Sequence, residues 1–272
     1  MQAMAENIPP QSTVLIKGAG EKGSAVAHRL YKYGFRTIAM TDLPAPRSER
    51  RGVCFCEALY DGSKTVAGVV AEKACPSLDS IRAQWAKEHI PVIPDPGAEV
   101  LRVLRPDILI DGVMAKKNKG TGITDAPLVI ALGPGFVTGK DAHLVVETNP
   151  ASTRLGQVLS EGQAEPDTGI PESICGLTRE RLIRSPASGV LKSSRNIGDK
   201  VEKNRVIGFV EDANIVAPMR GVIWGLMRDG LRVKIGQKIG DVDPRGKKEP
   251  CFQIAPQAGS IAEGVLRSIV RH

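Results

Sequence analysis

The sequence predicts an α/β protein, with a nucleotide-binding type of parallel-sheet domain followed by a small all-β domain. Three observations lead there. The apolar run Val14-Leu15-Ile16 enters the pattern Gly18-x-Gly20-x-x-Gly23 and then a helix-like segment, Ser24 to Tyr33. Apolar runs of strand length alternate with helical segments to about residue 148. Beyond that, Pro186 returns as Pro218, Gly208 as Gly240 and Val210 as Val242, a constant offset of 32 residues.

In the first region each glycine has an expected task. Gly18 permits the turn off the strand, Gly20 lets a phosphate approach the backbone, and Gly23 lets the helix lie close to the sheet. The helix start at Glu21 and Lys22 offers free N–H groups and a positive dipole end to an anion. A second strand, Arg36 to Thr41, ends at Asp42. In dinucleotide folds a carboxylate there meets a ribose hydroxyl. Together these features predict a Rossmann-like sheet.

The proline-rich loop 43–52 follows, with Arg47, Arg50 and Arg51. Val53 to Cys56 and Thr65 to Val70 read as short strands. Ser77 caps a helix running to about His89, with Leu78, Ile81 and Trp85 on one face. Val92-Ile93 is a buried strand, and a helix over 99–104 leads into the parallel strand Asp107 to Asp111. The lysine-rich loop 115–122 carries Lys116, Lys117, Asn118 and Lys119. Leu128 to Leu132 is a strand stopped by Gly133-Pro134-Gly135, and His143 to Glu147 is one more.

The expected domains are 1–148, a Gly/Pro-rich connection over 149–182, the repeat region 183–246, and a tail with a helix over 247–272. One repeat unit cannot bury its own apolar face, so two are expected to form a flattened, quasi-twofold β-sandwich. In the tail, Ser260 and Glu263 read as a capping box, with Val265, Leu266 and Ile269 on one face.

The chain has 272 residues, 42% hydrophobic and 25% charged, which suits a globular core. Its net charge is +7, yet aromatics are only 4% and none lies within a basic cluster, which argues against nucleic acid. The clusters are solvated faces or, for the first two, phosphate contacts. No run has the length of a membrane span. Residues 1–11 form a loose tail without signal-peptide character. Five cysteines with irregular spacing complete the expectation of a cytoplasmic protein with reduced thiols.

No nucleophile–base arrangement is legible, so catalytic residues stay unassigned. His28, His89, His143 and His272 lack metal-ligand spacing, and no metal is expected. His143 opens a strand near the expected ligand edge. Cys54 and Cys56 would share one face of an extended strand. They are either small packing residues or thiols activated by the preceding arginines.

Two resemblances add to this. The pattern Pro-x-x-Gly-Val, then Gly-x-x-Val, resembles biotinyl and lipoyl carrier domains, a barrel-sandwich fold. The stretch Val210 to Val216 has no lysine at the carrier position, so neither biotin nor lipoate is expected. The whole chain resembles the YqeB-type family of selenium-dependent molybdenum hydroxylase accessory proteins. The likeness rests on the glycine loop, Arg50-Arg51, 57–62, 115–121, 132–136, Glu147-Thr148 and 239–246. Its first part is similar to the Rossmann part of XdhC-type chaperones.

The resemblance implies an accessory factor in molybdenum hydroxylase maturation, with that enzyme as partner. It would bind an NAD-like nucleotide or the pterin dinucleotide of molybdenum cofactor. Two alternatives stand beside it: a nicotinamide-dependent oxidoreductase, and a scaffold docking a partner through the repeat. After Glu147-Thr148 the chain has Asn149 to Arg154 where the family has Arg-Gly-His, and Cys56 stands in place of a serine.

Overall fold

A computed structural model of the chain describes residues 8–270. Residues 1–7 of the expected tail, and His272, lie outside the described residues. The chain forms two compact units. The first takes residues up to 46, 55–168 and 255 onward; the second takes 47–54 and 169–254.

The first unit contains β1 (Val14–Lys17), α1 (Glu21–Tyr33), β2 (Ile38–Asp42), α2 (Ala58–Asp61), β3 (Ser63–Val66), β4 (Val69–Lys73) and α3 (Leu78–Trp85). It continues with β5 (Ile90–Pro94), α4 (Leu101–Leu104), β6 (Ile108–Asp111), β7 (Leu128–Leu132), β8 (Leu144–Val146) and β9 (Val158–Leu159). The last helix, α5 (Pro256–Val270), returns to this unit. One nine-stranded sheet results, in the order β3-β4-β5-β2-β1-β6-β7-β8-β9. Strands β4 to β8 of that order run parallel. The edges β3 and β9 are antiparallel.

The central runs are apolar throughout because both faces of the sheet are covered. Every residue of β1, β6 and β7 is buried. On one face Leu15, Ala39, Ile93, Leu109 and Val129 pack with Ile81 of α3 and Leu104 of α4. Helix α5 packs along α1, and Arg29 Nε donates to Glu263 Oε2 at 2.8 Å.

The second unit holds β10 (Leu182–Arg184), β11 (Gly189–Ser193), β12 (Lys200–Val201), β13 (Val206–Val210), β14 (Ala213–Val216), β15 (Gly221–Leu226), β16 (Arg232–Val233) and β17 (Lys238–Asp243). They form two four-stranded sheets, β10-β17-β15-β12 and β14-β13-β11-β16. Shifting by the repeat offset turns β11 into β15, β12 into β16 and β13 into β17. Ile207, Val210, Ile223, Ile239 and Val242 meet in the core between the halves.

The expected fold class is corrected. A Rossmann-like parallel sheet followed by a barrel-sandwich domain is not what the chain builds. The large sheet is mixed, with antiparallel edges, and the antiparallel strands form two separate four-stranded sheets rather than one barrel. Nor do the units follow one another along the chain, since 47–54 belongs to the second and the C-terminal helix to the first.

Several elements also differ. Residues 51–53 and 55–57 are short 3-10 turns rather than a strand, so Cys54 and Cys56 do not share an extended face. The run 65–70 is broken at Ala67-Gly68, both at positive φ, into the hairpin β3–β4. The connection over 149–182 is divided near residue 168, its first part paired to the large sheet through β9. Ser260 lies inside α5, where its hydroxyl donates to Pro256 O at 3.2 Å instead of capping a helix start. Ser77 does cap α3, accepting from the Ser80 N–H at 3.3 Å.

Candidate functional site

Strand order in the first unit reverses at β1. The chain passes from β1 to β2 on one side and later places β6 on the other. In open parallel sheets, the carboxyl ends of strands at such a reversal form a crevice for ligands. Here those ends carry the glycine loop, Asp42, the lysine loop and Gly133-Pro134-Gly135.

The glycine loop divides its tasks. Gly18 has φ +89°, and a Cβ there would lie 2.7 Å from Gly112 O. A Cβ on Gly23 would collide with Gly18 O. Both are therefore fixed by packing. Gly20 precedes α1 with no side-chain cap, and a Cβ on it would meet nothing within 4 Å. This open side, next to the uncapped N–H groups of a 13-residue helix, is where an anion can approach. Glu21 and Lys22 in the first turn lie 3.3 Å apart as an ion pair.

Asp42 closes the loop from β2. Its Oδ2 accepts the Ala19 N–H and its Oδ1 the Leu43 N–H, each at 2.7 Å. Burial pushes its carboxyl above the usual 3.8, and the two N–H bonds oppose that. From below, the Cys56 N–H donates to Ala19 O at 2.9 Å.

The lysine loop follows β6. Asn118 folds it: Oδ1 accepts the Gly120 and Thr121 N–H groups at 2.8 Å, and Nδ2 donates to Thr121 O at 2.7 Å. The Asn118 N–H donates to Gly135 O at 3.2 Å, which joins this loop to the turn after β7. Gly133 N–H donates to Val146 O at 2.9 Å. Lys116 pairs with Asp167 at 2.6 Å.

Three residues at this edge escaped the sequence analysis. Lys17 ends β1 and Asp111 ends β6 in matching register. Thr121 Oγ1 accepts from Lys17 Nζ and donates to Asp111 Oδ2, both at 2.6 Å. All three are buried. A signal was available, since each strand's apolar run closes on a charged residue.

At the end of β8, Glu147 is fully buried and accepts the N–H groups of Thr148, Asn149 and Glu165. Glu165 in turn accepts from Ser152, Asn149 and Arg154. The Ser152 hydroxyl, then Arg154, hold its carboxyl below the usual range. The segment that replaces Arg-Gly-His is thus a carboxylate-centred knot.

Other expected residues lie elsewhere. Arg50 and Arg51 belong to the second unit. Arg50 donates to the carbonyls of Trp224, Cys251, Pro250 and Gln253, with its guanidinium 4.0 Å from the Trp224 ring centre. Arg51 donates to Leu226 O at 2.7 Å. These hydrogen bonds hold both side chains to backbone carbonyls of the second unit. His143 accepts the Val129 N–H on Nδ1 at 2.9 Å, near the amino end of β7, so it is not at the ligand edge. Among the described residues, no group of three or more His, Cys, Asp or Glu is placed to hold a metal ion. No helix among them is long and apolar enough to cross a membrane.

Fold and site define an α/β protein with an open glycine loop at the carboxyl edge of its sheet. No family profile matches the chain. Over 257 residues, 94% of its length, it is 42% identical to the uncharacterized protein YqeB of Escherichia coli (strain K12). It spans 47% of that protein, about half. The match supports the likeness to the YqeB family.

Among solved structures, an aspartoacylase family protein from Mesorhizobium loti is 14% identical, with a TM-score of 0.26 and 85% of this chain and 84% of that one covered. The ectoine utilization protein EutE (DoeB) from Ruegeria pomeroyi is 10% identical, with the same TM-score and coverage. A succinylglutamate desuccinylase from Silicibacter sp. TM1040 is 11% identical at a TM-score of 0.25, again with 85% and 84% covered. Likeness this low carries no argument about activity. These neighbours carry aspartoacylase, ectoine-utilization and desuccinylase names, where Rossmann and lipoyl-carrier names were expected.

Proposed function

We propose that the chain binds a phosphate-bearing small molecule at the carboxyl edge of its large sheet. The observation that carries this is the open face of Gly20 before an uncapped helix start. A phosphate there would meet the first-turn N–H groups and the positive end of α1. Lys22 and the lysine loop supply positive charge. Each Asp42 oxygen already accepts one N–H and retains a second lone pair, so a ribose hydroxyl can still donate to it.

The wider role is a separate proposal, supported by the sequence likeness alone: an accessory protein of selenium-dependent molybdenum hydroxylases. In that setting the ligand is a nucleotide or the dinucleotide part of molybdenum cofactor.

Titration calorimetry with ADP, NAD and a pterin dinucleotide tests the binding reading. Wild type should bind at least one of them, and Gly20→Val should weaken that binding by more than about tenfold. Failure of wild type to bind all three, or equal binding by Gly20→Val, ends this reading.

A further inference from the structure

We propose that Thr121 is a positioning residue that couples the lysine loop to the glycine loop, an inference that rests on the anion-site reading above. Lys17 and Asp111 flank the point where strand order reverses. Their direct separation is 3.7 Å, longer than either hydrogen bond to the hydroxyl between them. Their side chains are 7% and 2% exposed. Buried charges of this kind need close, hydrogen-bonded partners. The Thr121 hydroxyl provides one to each.

The same hydroxyl anchors a loop under backbone constraint. Val113 N–H donates to Asp111 Oδ1 at 3.1 Å at the near end, and Thr121 holds the far end. Between them Met114 and Lys116 sit at φ +57° and +62°, conformations that non-glycine residues keep only when their surroundings impose them. Lys17, the other partner, is bonded directly to Gly18, whose N–H donates to Thr41 O at 2.8 Å. The triad therefore ties the turn that opens the glycine loop to the segment carrying Lys116, Lys117 and Lys119. Removal of the hydroxyl frees one loop from the other.

The test compares Thr121→Val, which keeps the shape, with Thr121→Ser, which keeps the hydroxyl. ADP is the probe, titrated by calorimetry. Thr121→Val should bind about tenfold more weakly, and Thr121→Ser should stay within about twofold of wild type. Lys117→Ala should weaken binding in wild type but add nothing in the Thr121→Val background. An additive Lys117→Ala effect would mean that Thr121 acts only on stability, and overturns the proposal.

A second readout needs no ligand. Trypsin should cut after Lys116, Lys117 or Lys119 at least about tenfold faster in Thr121→Val than in wild type or Thr121→Ser, because cleavage follows local opening. If wild type does not bind ADP, NAD or a pterin dinucleotide, the anion-site reading fails by itself. Cleavage then still decides whether the hydroxyl anchors the loop. Equal cleavage in all three proteins overturns the coupling.

Discussion

Asp42 Oδ2 accepts the Ala19 N–H at 2.7 Å, so the residue that ends β2 fixes the loop that leaves β1. Burial raises its carboxyl pKa above 3.8. A raised folded pKa gives stability that is complete below the unfolded value and is lost as pH rises through the folded one. Asp42→Asn removes that titration. Its unfolding free energy in urea should therefore vary less than that of wild type in the pH range just above 3.8. Matching pH profiles would show that Asp42 does not titrate with folding.

The two glycines flanking the start of α1 separate packing from binding. Gly23→Ala places a methyl against Gly18 O and should unfold the first unit or destabilise it by several kcal/mol, about 2–4 by analogy with overpacked cores. Gly20→Ala meets open space at φ −71°, which any residue adopts, and should fold as wild type does. Thermal melts followed by circular dichroism distinguish them. Equal losses in both variants would contradict the division of tasks.

Arg50→Lys is expected to loosen the second unit without touching phosphate binding. The planar guanidinium serves four carbonyls and lies over Trp224, a pattern an ammonium cannot reproduce. A loss of about 2–4 kcal/mol is expected from the carbonyls left unpaired. Urea unfolding measures it, and ADP titration of the folded variant checks the rest. A large fall in ADP affinity at unchanged stability would return Arg50 to the ligand.

Thiol chemistry should sort the cysteines by burial. Cys75 and Cys175 are exposed, whereas Cys54, Cys56 and Cys251 are buried. Burial pushes the Cys251 thiol up to about 11 from 9.0. In the native protein a disulfide reagent at pH 8 should label Cys75 and Cys175 quickly and Cys251 only on unfolding. The raised thiol also links to stability, which is complete below 9.0 and falls as pH rises toward about 11. Rapid native labelling at Cys251, mapped by peptide mass, would contradict this.

The sequence made the strands of the large sheet legible where apolar runs were bounded by glycine or charge, as at Val14 to Lys17 and Leu128 to Leu132. Edge character was not legible in the same way. β9 is two residues long, and the β3–β4 hairpin hides in a polar run broken by Ala67-Gly68. The excursion of 47–54 into the second unit could not be read, because Arg50 finds its carbonyls 174 to 203 positions away. In the site, the glycine pattern located the loop but not the division of labour. Only the backbone shows that Gly18 and Gly23 are crowded while Gly20 is open. Thr121 carried no pattern of its own, since its meaning comes from two charges that meet across neighbouring strands.

The repeat has a consequence for how the second unit came to hold together. Each of its sheets takes two strands from β10–β13 and two from β14–β17. A half on its own would present only parts of two sheets. Each half thus gives strands to both sheets, as the subunits of a strand-exchanged dimer would, and the turn at Glu211-Asp212 links the halves. Cutting that turn should leave two peptides that fold only in each other's company, and a single consensus half made as a free peptide should pair with its own copy.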